Sequence, residues 1–257
     1  MPKLLSNEPL MSVPLMPDSF DFQGAREELM SPRISYALYL VATNPTAVLY
    51  SHQKIMAEKL NTIRDSRAVR DSFEWLCRND LIEQDVASLV HSSKVSIVRL
   101  KMQGEFVARK LGYEAQPNDW DAILAKRKIS DLKYIGQVVQ IAYQCRIRNI
   151  PVTVAPFIVS DNPPDLLVGE EKYWVYATGK QVLNRKALSR IFKSVAEAEA
   201  KMGIISQRKR SADVMLGNCK HLNIPVRFSN LEYLIRNTKT NPHSEKGAIW
   251  QQESLSI

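Results

Sequence analysis

Arg64, Ser66, Arg67 and Arg70 combine residue types and spacing suited to the edge of a nucleic-acid groove. A guanidinium offers a two-donor fork to a guanine edge or a phosphate, and a hydroxyl bonds to either. A second group, Ser92, Ser93 and Lys94 beside His91, is polar and sits between two apolar runs, where it can meet phosphate or a minor groove. Lys126, Arg127 and Lys128 form a third, purely cationic group, and Lys201 with Arg208, Lys209 and Arg210 a fourth. Other chemistries lack their residues. His52, His91, His221 and His243 have no paired or HExxH spacing, so no metal centre is expected from them. Thr178-Gly179-Lys180-Gln181 lacks the first glycine and the closing hydroxyl of a phosphate-cradling loop, and no GxSxG elbow occurs. Cys77, Cys145 and Cys219 lie far apart without CxxC spacing and read as buried small hydrophobes.

The charge pattern points the same way. The 257 residues carry a net charge of +8. The positive excess falls in residues 31–112, 126–150 and 181–240, whereas 1–30, 113–125 and 151–180 are acidic. Dense blocks of Lys and Arg suit a polyanion, because each phosphate they neutralise releases condensed counterions. With 45% hydrophobic and 24% charged residues the chain is neither disordered nor collagenous. Its longest apolar runs, 34–42 and 150–159, fall well short of the roughly 20 residues that span a bilayer. No export signal is expected at the start, where Lys3, Asn7, Glu8 and Asp18 alternate with prolines. These features predict a cytoplasmic protein without a membrane partner.

The elements that must position these side chains begin after an extended arm over 1–30, which holds four of the 13 prolines. Ser31-Pro32 predicts a helix start, with Ile34, Ala37, Leu38 and Val41 at helical spacing and a stop at Asn44-Pro45. A second helix is expected over 51–60, capped by Ser51, and a third over 64–78, with Val69, Phe73, Leu76 and Cys77 on one face. The period then changes to two: a strand starts at Leu81-Ile82 and another runs over 95–100, on either side of His91-Ser92-Ser93. A fourth helix is expected over 102–111, closed by Gly112. Three helices, a hairpin and a helix within 31–112 predict a winged helix-turn-helix domain, whose third helix would enter the major groove.

A linker is expected over 113–129, then a small mixed α/β domain over 130–237 and a polar tail over 238–257. In this half a long helix fits 130–148, and extended segments fit 152–159, 165–168 and 173–177. Helices fit 187–202 and 212–222, and a last strand 224–228. Pro164-Asp165, followed by a hairpin into Tyr173-Trp174-Val175-Tyr176-Ala177-Thr178-Gly179-Lys180, resembles the PD-(D/E)XK nuclease pattern. The resemblance implies a restriction-endonuclease-like fold with Asp165 and Lys180 as catalytic residues. That chemistry places two acids around Mg²⁺ while a lysine orients the attacking water. Here the middle acid is absent, since Thr178 stands two before Lys180. The domain therefore reads as non-cleaving, with no metal and no cofactor, and its Arg185, Lys186, Arg190 and Lys193 as backbone-holding.

Residues 66–83, Ser66-Arg67-Ala68-Val69-Arg70-Asp71-Ser72-Phe73-Glu74-Trp75-Leu76-Cys77-Arg78-Asn79-Asp80-Leu81-Ile82-Glu83, resemble the recognition-helix segment of the replication-relaxation family of plasmid and mobile-element proteins. Asn79-Asp80 stands where that family places a residue and a glycine. Val98-Arg99-Leu100-Lys101-Met102-Gln103-Gly104-Glu105-Phe106 is similar to its strand-to-helix step, with Lys101 in place of a threonine. The resemblance covers roughly residues 31–180 and implies a protein that binds double-stranded DNA in replication, transfer or transcription control of a plasmid, phage or integrated element. Two other functions fit the same residues. One is a Mg²⁺-dependent endonuclease whose missing acid comes from Asp161, Glu170 or Glu171. The other is a docking component of a nucleoprotein assembly or homo-oligomer that uses the winged helix without base contacts.

Overall fold

The computed structural model describes residues 31–89, 93–126, 131–240 and 249–254. The chain is mixed α/β, and its described residues divide into two compact units, those up to 86 with 96–121 and those of 87–95 with 122–254. The arm expected over 1–30 lies outside the described residues. No described helix is long and apolar enough to cross a membrane.

The first unit opens with α1 (Pro32–Thr43), which has its proline in the first turn and stops at Asn44, because the residue before Pro45 avoids helical angles. Ser31 occupies the N-cap position but makes no side-chain cap bond. Helix α2 (Leu49–Lys59) starts two residues before the expected Ser51. The preceding chain is held extended: Val48 bridges Ile97, and Ala47 O accepts from Val98 N at 2.8 Å. Helix α3 (Arg67–Arg78) starts three residues later than expected, because the Ser66 side chain caps it by accepting from Val69 N at 3.4 Å. Its end is a Schellman motif: Leu81 N donates to Leu76 O and Asp80 N to Cys77 O, with Asp80 in the left-handed region at φ 60°.

Strands β1 (Ile82–Ser88) and β2 (Lys94–Leu100) form a two-stranded sheet. Leu89 N to Ser93 O closes one end and Lys101 N to Leu81 O the other, which makes the pair antiparallel. Helix α4 (Met102–Lys110) follows, and Gly112 takes the left-handed angle after it. Leu38, Val41, Met56, Val69, Phe73, Leu76, Leu81, Val98 and Val107 share one buried cluster.

Residues 113–121 are not the expected linker. Tyr113 is buried and meets Tyr39 edge-on at 5.3 Å, Gln116 N donates to Ala42 O, and Asp119 N to Pro45 O. Asn118 Nδ2 donates to Val98 O, while its Oδ1 accepts from Trp120 N and Asp121 N at the start of α5 (Asp119–Lys126). A segment with this many main-chain partners cannot act as a free tether.

The second unit runs α6 (Leu132–Arg146), β3 (Val152–Val154), β4 (Leu166–Val168), β5 (Tyr173–Gly179), α7 (Arg185–Glu197), β6 (Met202–Ser206), α8 (Lys209–His221), β7 (Val226–Asn230), α9 (Leu231–Thr240) and β8 (Gln252–Ser254). The six strands pair in chain order. β3, β4 and β5 form an antiparallel meander, β5, β6 and β7 are parallel with α7 and α8 as crossovers, and β8 returns antiparallel to β7. Trp174, Tyr176, Leu188, Val195, Ile204, Met215 and Phe228 share its core.

Three expectations for this half are corrected. The helix expected over 187–202 ends at Glu197, and Met202 instead begins β6. That strand is buried on both faces, so it shows no alternation to mark it. α9 follows β7 at once and was not expected. The tail expected over 238–257 includes the end of α9, a buried Ile249 and β8, and Trp250 lies 5.3 Å from the Tyr173 ring. A Cβ on Gly203 would come within 2.4 Å of the Trp250 ring, so the central strand needs glycine there.

His52 provides a test of the first unit's core. It is fully buried, its Nε2 lies 3.1 Å from Thr46 O, and its Nδ1 has no partner among the described residues. Burial pushes its pKa down from 6.5 to about 4. The unfolded chain therefore takes up the proton first, and stability present above pH 6.5 is lost as the pH falls toward about 4. The loss at the acid end is about 3 kcal/mol. Urea unfolding midpoints across this window should fall in the wild type and show a shallower decline in His52→Leu.

Candidate functional site

In the first unit the candidate surface is the outer face of α3. Val69, Phe73 and Leu76 are buried, which turns Arg67 and Arg70 outward. The Arg67 side chain is 88% exposed and pairs with Asp71, Nε to Oδ2, at 3.2 Å. An exposed i,i+4 pair contributes well under 1 kcal/mol, so it yields readily to a stronger anion. The other two residues expected on this helix are elsewhere engaged. Arg64 precedes α3, pairs with Asp65 and lies over the Tyr50 ring at 4.6 Å from its centroid. Ser66 is the cap, so its hydroxyl accepts from Val69 N. Asp65 and Asp71, which neutralise part of this face, were missed at the level of sequence, although the 67–71 spacing was there to be seen.

On the hairpin Lys94 is exposed and Ser93 half-buried, its carbonyl accepting from Leu89 N. Ser92, Arg127 and Lys128 lie outside the described residues, and Lys126 is the last residue of α5. The next patch inward is fixed by ion pairs: Arg99 reaches Glu83 at 2.8 Å and Asp121 at 3.7 Å, and its guanidinium lies over the Trp120 ring.

The second unit holds a cleft of about 680 Å³ at the carboxyl ends of β5 and β6, a usual place for ligands in sheets of this kind. Asp165 lines it and is only 6% exposed. Its Oδ2 accepts from Ala177 N at 2.7 Å and its Oδ1 from Tyr134 OH, so one carboxylate joins β5 and α6 to the start of β4. Lys180, just beyond β5, is exposed on the same cleft. The structure thus brings together the two residues expected from the nuclease-like pattern.

The missing acid is a different matter. Glu170 and Glu171 sit in the turn before β5, at the opposite end of that strand from Lys180, and Glu171 pairs with Lys201 at 2.6 Å. Asp161 does line the cleft. Among the described residues no group of three His, Cys, Asp or Glu side chains could hold a metal ion. Gln137 and Tyr134, one helical turn apart on α6, also line the cleft; Gln137 Nε2 donates to Ile205 O at 3.3 Å. Sequence reading missed both, since neither lies near Asp165 or Lys180 in the chain.

Compared with known protein families, with curated proteins and with solved structures, the chain matches none of them.

The capping role of Ser66 can be tested directly. Ser66→Ala should lower unfolding stability by about 1 kcal/mol through loss of the helix cap. Urea unfolding followed by circular dichroism checks the loss.

Proposed function

We propose that the chain is a DNA-binding protein in which α3 of a winged helix-turn-helix domain enters the major groove and β1–β2 serves as the wing. The observation that carries this reading is α3 itself: its inward face is buried, and its amino-terminal half presents Arg67 and Arg70 to solvent. Recognition helices meet bases with that half, while the wing holds phosphates, a role for Lys94. The Val48 bridge to Ile97, which adds a third segment to the hairpin, and the Schellman end of α3 are consistent with such a domain. The second unit is read as a nuclease-like domain that holds DNA or a partner without cleaving. This organisation suits replication, transfer or transcription control of a plasmid, phage or integrated element, as the resemblance of residues 66–83 to the replication-relaxation family implies.

A second reading, a Mg²⁺-dependent endonuclease, is favoured by one observation: Asp161 lines the same cleft as Asp165 and Lys180. Two carboxylates and a lysine are the residue types such a reaction uses. Incubation with supercoiled plasmid and Mg²⁺ or Mn²⁺ decides between the readings. The first expects no nicking; nicking lost in Asp165→Asn, with the fold kept as judged by circular dichroism, supports the second.

For the DNA-binding reading, Arg67→Ala with Arg70→Ala should lower duplex affinity by about tenfold or more and reduce the slope of log affinity against log salt by about 2. Circular dichroism checks that the fold is kept. An unchanged affinity and slope in the folded double variant would remove α3 as the reading element.

A further inference from the structure

The cleft of the second unit has features that neither DNA reading by α3 nor metal chemistry uses. Thr178 lines it, and its Oγ1 is buried with no hydrogen-bond partner among the described residues. Gln207, also on the cleft, is 6% exposed; its main-chain N donates to Gly179 O. Both side chains can donate and accept, the requirement for meeting the mixed edge of a nucleobase. Tyr176, Leu183 and Ile191 add an apolar wall, and Tyr176 is held by its hydroxyl, which donates to Asn162 O at 2.8 Å.

The edge of this cleft is cationic on one side. The carbonyl of Lys180 accepts from Ser211 Oγ at 3.4 Å, which sets Lys180 against the first turn of α8. Arg208, Lys209 and Arg210 are exposed there, and the turn has no side-chain cap, so its N–H groups are available to an anion. The buried wall of the cleft is different: Asp165, only 6% exposed, makes that part unsuited to a phosphate. Lys180 and the first turn of α8 thus offer a place to an anion, and Thr178 and Gln207 a place to a neutral hydrogen-bonding ring, although exposed Lys133 of α6 adds a second cation to the lining.

We propose that this cleft binds a single nucleotide, its base against Thr178, Gln207 and Tyr176 and its phosphate at Lys180 and the first turn of α8. The volume of about 680 Å³ is in the range of small-molecule sites. The same chemistry is presented by a free nucleoside monophosphate and by the terminal nucleotide of a DNA strand. The proposal is independent of duplex binding through α3, so Arg67→Ala with Arg70→Ala should leave it intact.

The test is calorimetric titration of the full chain with the four deoxynucleoside 5′-monophosphates, their nucleosides, a 5′-phosphorylated single-stranded oligonucleotide and a circular single strand. At least one monophosphate should saturate the protein at or below about 1 mM, and its nucleoside should bind about tenfold more weakly for want of the charged contact. Lys180→Ala, at an exposed position, should abolish that difference. Thr178→Val, which removes an unpartnered hydroxyl, should weaken monophosphate and nucleoside alike by about tenfold without lowering the melting temperature. Binding of the oligonucleotide but not the circle assigns the site to strand ends, and binding of monophosphates alone assigns it to free nucleotide; both support the proposal. No saturation by any monophosphate, or saturation that both substitutions leave unchanged, overturns it.

Discussion

Burial of Val69, Phe73 and Leu76 decides which residues of α3 face water, and the functional reading of the first unit depends on it. A helix packed through one stripe has no freedom to rotate about its axis, so the direction in which Arg67 and Arg70 project is set by the core. The same stripe explains why the two arginines tolerate acidic neighbours. Asp71 lies one turn from Arg67 on the exposed side, where a pair is weak and salt-sensitive. Such a partner holds the side chain only loosely, whereas bonds of a guanidinium with a phosphate are stronger and bidentate.

In the second unit the corresponding constraint is the Asp165 carboxylate. A charge buried to this degree needs donors on its oxygens, and Ala177 N and Tyr134 OH supply them from two different elements. The residue that most resembles a catalytic acid thus has an architectural task as well, joining the meander to the long helix at the bottom of the cleft. A sheet that changes from antiparallel to parallel at β5 leaves its carboxyl edge open at that place, and the open edge is the cleft.

The helices were legible in sequence wherever an amphipathic stripe met clear punctuation. Pro32 and Asn44-Pro45 bound α1, and Gly112 closes the chain after α4. Starts marked only by polar residues were displaced. Ser51 looks like a cap but lies inside α2, because pairing of Val48 with Ile97 settles where that helix begins. β6 was hidden for the opposite reason: Met202-Gly203-Ile204-Ile205-Ser206 is buried throughout, and an unbroken apolar run carries no period to distinguish strand from helix. At the sites, residue type was readable and company was not. Arg67, Arg70, Asp165 and Lys180 could be singled out, whereas Tyr134 and Gln137 join Asp165 only through the packing of α6 on the sheet.

One residue in the first unit has a mechanical consequence. Leu81 N bonds to the last turn of α3, its carbonyl accepts from Lys101 N where the hairpin hands over to α4, and Gly104 lies so close to that carbonyl that an added Cβ would be 1.9 Å from it. Three elements are pinned at one bolt. A load applied along α3 passes into the strands and the following helix with little give, so the exposed side of that helix is held in a shape already set, and a surface held so loses little entropy in any association.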